Sequence, residues 1–369
     1  MSIPLKIAQI APLAEAVPPR LYGGTERVVA HLSDSLVNLG HDVTLFASAD
    51  ARTKARLVPV REQAIRLDPA KLKSDVAAHL AMLHEVKMRV EEFDVLHFHI
   101  DLLHFPVFEQ LAHRTLTTLH GRLDLADLSE AYRRWHRFPL VSISDSQRRP
   151  LPFANWMATV HHGLPRQLFD FSPTHRGYLA FVGRISPEKR PDRAIEIARG
   201  AGLPLKIAAK VDHADVDYFV EVIKPLLQGS DIEFLGEIND SDKNELLGGA
   251  AALLFPVDWP EPFGLVMIEA MACGTPVVAW DVGSTREVVD EGVTGSIVRS
   301  VGDAISAVHE AQSLDRARIR AQFERRFSAT TMSNNYLRLY SLLTHPASCR
   351  DKLDRRLPRP HAANRTLRT

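Results

Sequence analysis

The sequence predicts an α/β protein made of two parallel-sheet lobes in tandem, and three observations carry that prediction. Short apolar runs alternate with longer stretches of helical period, which is how strands and helices succeed one another in a parallel sheet covered on both faces. The alternation lapses between His161 and Arg176, where Gly163, Pro165, Pro173 and the adjoining Gly177 replace any apolar period, and a second cycle then begins. Finally, 369 residues are too many for one ordinary core and suit two.

The first cycle opens with a strand at Leu5–Ile10, a helix at Thr25–Leu39 and a strand at Asp42–Phe46. Val28, Val29, Leu32, Leu36 and Leu39 give that helix one apolar face, and Gly40 ends it. Further strands are expected at Asp94–Phe98, Leu116–Leu119 and Leu140–Ile143, with helices at Ser74–Val90 and Leu123–Trp135 between them. The second cycle predicts strands at Tyr178–Val182, Leu205–Ala209, Ile232–Leu235, Ala252–Phe255, Pro276–Ala279 and Ser296–Val298. Its helices are Pro187–Arg199, Asp215–Leu227, Phe263–Met271 and Val301–Ala311. A last helix, Ala329–Leu343, carries Met332, Tyr336, Leu339, Tyr340 and Leu343 on one face. The expected division is residues 1–165, 166–328, a bracing helix over 329–345 and a basic, disordered tail over 346–369, since residues 350–369 hold seven basic and two acidic side chains.

Composition narrows the function classes. Forty-five Lys and Arg balance forty-five Asp and Glu, so nothing draws the whole chain to nucleic acid. Cys273 and Cys349 are too few for a disulfide framework or a four-thiolate zinc site, which favours a reducing compartment, the cytoplasm. The first ten residues lack a signal-peptide pattern, and the most apolar window, Leu253–Trp280, is broken by Asp258, Glu261 and Glu269, so no membrane span is expected. Weak contact between the basic tail and an anionic membrane surface is the one membrane role left.

Four groups of residues carry chemistry. Gly23 and Gly24 lie between a strand and a helix, where open amides and the positive helix end suit an anion, or they simply make a turn. Neither G-x-G-x-x-G nor G-x-x-x-x-G-K-[ST] occurs. Arg184 and Lys189 follow the strand ending at Val182 and can clamp a diphosphate from two sides, unless they belong to a solvated basic turn. In Trp259–Val278, Glu261 stands before a helix with Gly264 at its mouth, and Glu269 stands two turns on among Val266, Met267, Ile268 and Ala270. A carboxylate in such a setting needs hydrogen-bond donors, which a ribose diol supplies, or else caps and backbone groups occupy both carboxylates. His97 and His99 alternate on a strand, so both rings share a face, as metal ligands often do; a zinc hydrolase would need a further ligand cluster, and no H-E-x-x-H is present.

The stretch E-P-F-G-L-V-M-I-E-A-M-A-C-G-T-P-V-V, with its Glu-x₇-Glu spacing, closely resembles the family 4 retaining glycosyltransferases of GT-B fold, in which two Rossmann-like lobes face each other across a cleft. So do Gly-Gly-Thr-Glu at 23–26, V-G-R-I-S-P-E-K at 182–189 and the G-S-T-R-E-V-V and G-V-T-G segments near 283–295. The resemblance implies a hexosyl transfer from a nucleoside diphosphate sugar, a UDP-sugar first and a GDP-sugar second, to a hydroxyl of a glycan, lipid or small molecule. It implies that Arg184 and Lys189 bind the pyrophosphate, Glu269 the ribose and Glu261 the donor-sugar hydroxyls. Phe263, Gly264 and Leu265 would offer loop amides, Gly23 and Gly24 would lie near the phosphates, and His120 beside the transferred sugar. His97 and His99 would border the acceptor side. No metal or other cofactor is expected, since Lys and Arg would take the metal's place. His162 stands where relatives commonly have Asn, and Gly121 where many have Asp. The rival readings are a nucleotide-sugar epimerase or a sugar phosphorylase of the same architecture, and a sugar-nucleotide-binding protein without activity. Closure of the lobes over the donor is expected, with hinges at His161–Gly177 and near Ala329.

Overall fold

A computed structural model describes residues 4–20 and 23–344. The first sheet holds seven parallel strands: β1 (Lys6–Ile10), β2 (Asp42–Ala47), β3 (Arg56–Pro59), β4 (Val95–Phe98), β5 (Thr115–Thr118), β6 (Leu140–Ser142) and β7 (Trp156–Thr159). They run in the order 3-2-1-4-5-6-7. The second holds six: β8 (Tyr178–Arg184), β9 (Leu205–Lys210), β10 (Ile232–Gly236), β11 (Ala250–Phe255), β12 (Val277–Trp280) and β13 (Gly295–Val298), in the order 10-9-8-11-12-13. Each order reverses direction once, between β1 and β4 and between β8 and β11, and at such switch points the carboxyl ends of the strands leave a crevice for a ligand. Both switch points open toward the cleft between the lobes.

The longer helices among the described residues are α1 (Gly24–Asn38), α2 (Asp75–Met88), α3 (Leu128–Arg134), α4 (Pro191–Ala201), α5 (Asp240–Gly249), α6 (Leu265–Ala272), α7 (Val301–Ala311), α8 (Arg316–Arg326) and α9 (Ala329–Thr344). Each lobe has a core on both faces of its sheet, as the apolar runs of parallel strands require. The expected bracing helix is α9: it follows the second lobe in sequence but packs Met332, Tyr336, Leu339 and Tyr340 against Val28, Val29, Leu32 and Leu36 of the first. The chain therefore crosses between lobes twice, and the two crossings touch. The Leu164 amide donates to the Phe327 carbonyl at 2.9 Å, and the Ala329 amide donates to Leu164 at 2.8 Å. Residue 163 must be glycine for this approach, because a Cβ there would lie 2.5 Å from the Ser328 carbonyl oxygen.

Several elements depart from expectation. The helix expected from Pro187 begins at Pro191, because Pro187–Lys189 make a turn and Arg190 takes a left-handed backbone (φ 55°). The Asp215–Leu227 helix is interrupted by a wide turn at Phe219–Ile223, where Pro225 has no amide to give to Glu221. The Leu123–Trp135 helix shrinks to α3. Strands β3 and β7 lie at the sheet edge and are only partly buried, and α8 is mostly arginine outside Ile319 and Phe323, so none of the three carries a strong apolar signal. The basic tail assigned to residues 346–369 and Cys349 lie outside the described residues; Cys273 is a buried free thiol.

Candidate active site

The cleft has a volume of about 380 Å³ and draws its walls from both lobes. On the first-lobe side, the β1–α1 connection supplies Gly23, the first turn of α1 supplies Gly24 and Arg27, and the segment after β5 supplies His120 and Gly121. Opposite them, the end of β8 and the turn after it supply Arg184 and Lys189, the loop into α6 supplies Glu261, Phe263 and Gly264, and α6 itself supplies Leu265 and Glu269. The cleft thus collects every predicted site residue except His97 and His99.

Short-range contacts hold these side chains in place. Lys189 donates to the Glu261 carboxylate and lies 5.2 Å from the centre of the Trp259 ring. The Arg184 guanidinium donates to Glu188 at 2.8 Å and comes within 3.6 Å of Asp212. The Glu261 loop is braced from behind: the Ser284 amide donates to the Glu261 carbonyl and the Ser284 hydroxyl donates to the Phe263 carbonyl at 2.8 Å. Gly264 opens α6 with φ 77°, and a Cβ there would sit 2.8 Å from the Phe255 ring. Only glycine leaves this helix mouth open to a ligand.

Glu269 is 4% exposed and is satisfied by the Lys243 ammonium, which donates to it at 2.7 Å. Lys243 also reaches Asp240 at 3.3 Å, and Asp240 receives Arg27 of the first lobe at 2.5 Å. Burial alone would raise the Asp240 carboxyl, but Arg27 and Lys243 bring it below the usual carboxylate range. A line of alternating charge therefore joins α1 to the carboxylate on α6. Sequence reasoning missed Arg27 and Lys243, because each is an ordinary helix cation until the fold brings α1, α5 and α6 together. Among the charged side chains lining the cleft, Arg27, Arg184, Lys189, Lys210 and Lys243 outnumber Glu237, Glu261 and Glu269, so a neutral chain concentrates positive charge where the strands end.

His97 and His99 require a correction. They are 0% and 3% exposed and do not line the cleft, so they do not border the acceptor side. They form a buried layer behind His120. The His97 ring nitrogens meet Tyr340 at 2.7 Å and Thr118 at 2.8 Å, and those of His99 meet His120 at 2.9 Å and Gln9 at 2.8 Å. With all four nitrogens engaged, neither ring has one to give to a metal ion. His162 stacks beneath His120, ring centres 5.2 Å apart, and meets the Phe263 ring at 4.8 Å. Burial pushes His120 down to about 3 and His162 well below the ordinary imidazole value, so both rings are neutral at neutral pH.

Residues 22–158 match the family described as Glycosyltransferase Family 4, and residues 170–324 match Glycosyl transferases group 1. Phosphatidyl-myo-inositol mannosyltransferase of Propionibacterium freudenreichii subsp. shermanii is 26% identical over 340 residues, covering 82% of this chain and 84% of its own. The protein of the same description from Mycolicibacterium smegmatis is 27% identical over 328 residues, 80% of this chain and 81% of its own. The fold matches that of AviGT4, a glycosyltransferase involved in avilamycin A biosynthesis, with a TM-score of 0.70 at 22% identity, over 93% of this chain and 99% of that one.

Proposed function

Since the chain belongs to the family 4 glycosyltransferases of GT-B fold and is an enzyme of that class, we propose that it moves a hexose from a nucleoside diphosphate sugar to an acceptor hydroxyl with retention at the anomeric carbon. The observation that carries this reading is the meeting of Arg184, Lys189, Glu261 and Glu269 with Gly23, Gly24 and His120 across one cleft. Arg184, Lys189 and the open amides at Gly264 offer donors to a diphosphate and stabilise the charge that grows on it as the sugar leaves. The phosphate itself assists attack from the face it departs, so no side chain needs to bond to the sugar. Glu269 accepts from the ribose hydroxyls and Glu261 from those of the sugar. The cations take the part that a metal ion plays in other transferases. UDP-glucose and GDP-mannose are the donors to try first.

Two relatives are named for mannosyl transfer to a phosphatidylinositol, which makes a membrane lipid the first acceptor to test. None of the described helices is long and apolar enough to cross a membrane. Helix α2 and its approach nevertheless expose Leu72, Val76, Leu80 and Met88 on the first lobe, which supports peripheral work at the inner membrane face. Each donor is incubated with phosphatidylinositol vesicles or soluble sugars, nucleoside diphosphate release is followed, and the product anomer is read by proton NMR. An α-linked product from the α-configured donor is expected. A β-linked product would overturn retention, and an epimerised donor with no acceptor product would favour the epimerase reading.

A further inference from the structure

Beside the cleft, but not lining it, a small ionic network grips the segment that carries Lys189. Arg190 follows Lys189 and takes a left-handed backbone (φ 55°, ψ 50°), a conformation that residues other than glycine rarely adopt. Its guanidinium donates to Asp192 from Nε at 3.0 Å and from Nη2 at 2.8 Å, and to Asp258 from Nη1 at 3.0 Å. The Asp258 amide in turn donates to the Glu188 carbonyl at 2.8 Å. Asp258 thus holds both chain neighbours of Lys189, one through its carboxylate and the other through its backbone.

Stability alone does not account for this arrangement. The Arg190 and Asp258 side chains are 28% and 51% exposed, and ion pairs so open to water add little to stability. A left-handed backbone, in contrast, costs every residue but glycine. Glycine at 190 would remove that cost and forfeit the guanidinium. What the network secures is the placing of two segments. Only Trp259 and Pro260 separate Asp258 from Glu261, and the Glu261 amide closes a tight turn onto the Trp259 carbonyl at 2.7 Å, so the Asp258 anchor passes stiffly to Glu261. On the other side one peptide unit separates the anchor from Lys189, whose ammonium meets the Glu261 carboxylate and lies 5.2 Å from the centre of the Trp259 ring. Arg193 on α4 seats the anchor itself, coming within 3.4 Å of the Asp258 carboxylate and donating to the Pro256 carbonyl at 3.0 Å.

We propose that Asp258 and Arg190 are positioning residues that act through Lys189: by fixing the chain on both sides of it, they hold its ammonium where negative charge collects on the departing diphosphate. The inference rests on the sugar-transfer reading of the cleft. A cation stabilises a transition state most when it is already in place and needs no rearrangement as the charge develops. Arg184, the α6 mouth at Gly264 and Glu269 stand outside the gripped segment, so they keep hold of the nucleotide when the network is cut. The transition state therefore loses more than the ground state does.

The test uses the full chain with UDP-glucose and GDP-mannose as donors, UDP and GDP as binding probes, and crystal structures of the variants. Arg190→Gly relieves the backbone while removing the guanidinium, so the protein should melt near wild type while kcat falls about tenfold or more, the effect of a small misplacement at a reacting centre. Asp258→Ala should do the same, and Asp258→Asn, whose amide oxygen still accepts from Arg190, should recover part of kcat. Donor KM and the affinity for UDP and GDP should hold. In a Lys189→Ala background, Arg190→Gly should lower kcat no further, because a group that acts through Lys189 then has nothing to place. The variant structures should show the Lys189 ammonium no longer on Glu261. Wild-type kcat in both Arg190→Gly and Asp258→Ala, a kcat loss matched by an equal loss of UDP and GDP affinity, losses that multiply with that of Lys189→Ala, or a Lys189 that stays on Glu261 overturns the proposal. Asp258 is the more exposed of the two, and its variants decide the matter if Arg190→Gly does not fold. Should the wild-type chain release neither UDP nor GDP from its donor, the sugar-transfer reading fails, while the place of Lys189 in the variant structures still decides what Asp258 and Arg190 do.

Discussion

At the residue scale, the cleft sets cations against carboxylates that they must partly relinquish to a ligand. Arg184 and Lys189 are each paired within their own lobe, and a bound diphosphate would exchange those partners for phosphate oxygens. Replacing either by Ala should lower kcat/KM at least about tenfold, or ~1.4 kcal/mol, because the interaction strengthens as the phosphate departs. Unchanged steady-state turnover in both single variants would sink the assignment. Glu269 is a different case, because its partner Lys243 is already in place. Glu269→Gln keeps the shape and removes the charge, so UDP or GDP binding should weaken by roughly 1–3 kcal/mol in calorimetry while the protein stays folded. Lys243→Met should be harsher on the fold, since it strands a buried carboxylate. If thermal unfolding shows Lys243→Met no less stable than Glu269→Gln, the pair does not hold the site together.

At the element scale, β4, the β5 end and the inter-lobe segment after β7 carry histidines that burial keeps neutral. His97, His99 and His162 lie well below the ordinary 6.5, and His120 lies near 3. Below pH 6.5 the unfolded chain binds protons that the folded chain refuses, so stability falls as the solution is acidified, by about 1.4 kcal/mol per pH unit for each such histidine. Urea midpoints should therefore drop steeply between pH 7.5 and 5.5, and equal midpoints would refute the neutral layer. Whether these rings were buried could not be read from spacing. The H-F-H alternation at the end of β4 correctly put two rings on one face, but their neighbours come from β1, β5 and the residues after it, and α9, far apart in sequence. The strands themselves were legible wherever both faces are buried, as in β1, β2 and β11, and illegible at the half-exposed edges β3 and β7. In the same way Glu261 and Glu269 stood out as charges in an apolar stretch, whereas Lys243 lay in the polar helix α5 with nothing to mark it.

At the scale of the whole molecule, two polar latches among the described residues span the lobes. Arg27 holds Asp240 on one flank. On the other, Glu287 accepts from the Asp145 and Ser146 amides at 2.6 and 2.8 Å and from His161 at 3.3 Å. Burial opposes charge on Glu287, but these donors outweigh it and hold the carboxyl below its usual range. Combining Asp240→Asn with Glu287→Gln should open the lobes and raise the radius of gyration in small-angle scattering; an identical scattering curve would mean that the latches do not set the closure. The crossing of α9 back to the first lobe also has a consequence for the order in which a ribosome makes the protein. The first lobe leaves the ribosome with Val28, Val29, Leu32 and Leu36 lacking the cover that Met332, Tyr336, Leu339 and Tyr340 later supply. It must wait, incompletely covered, for the whole second lobe to be synthesised before its own last helix arrives. A nascent chain stalled before residue 329 should accordingly be chaperone-bound and protease-sensitive in its first lobe, and a 329–344 peptide added in trans should restore protection.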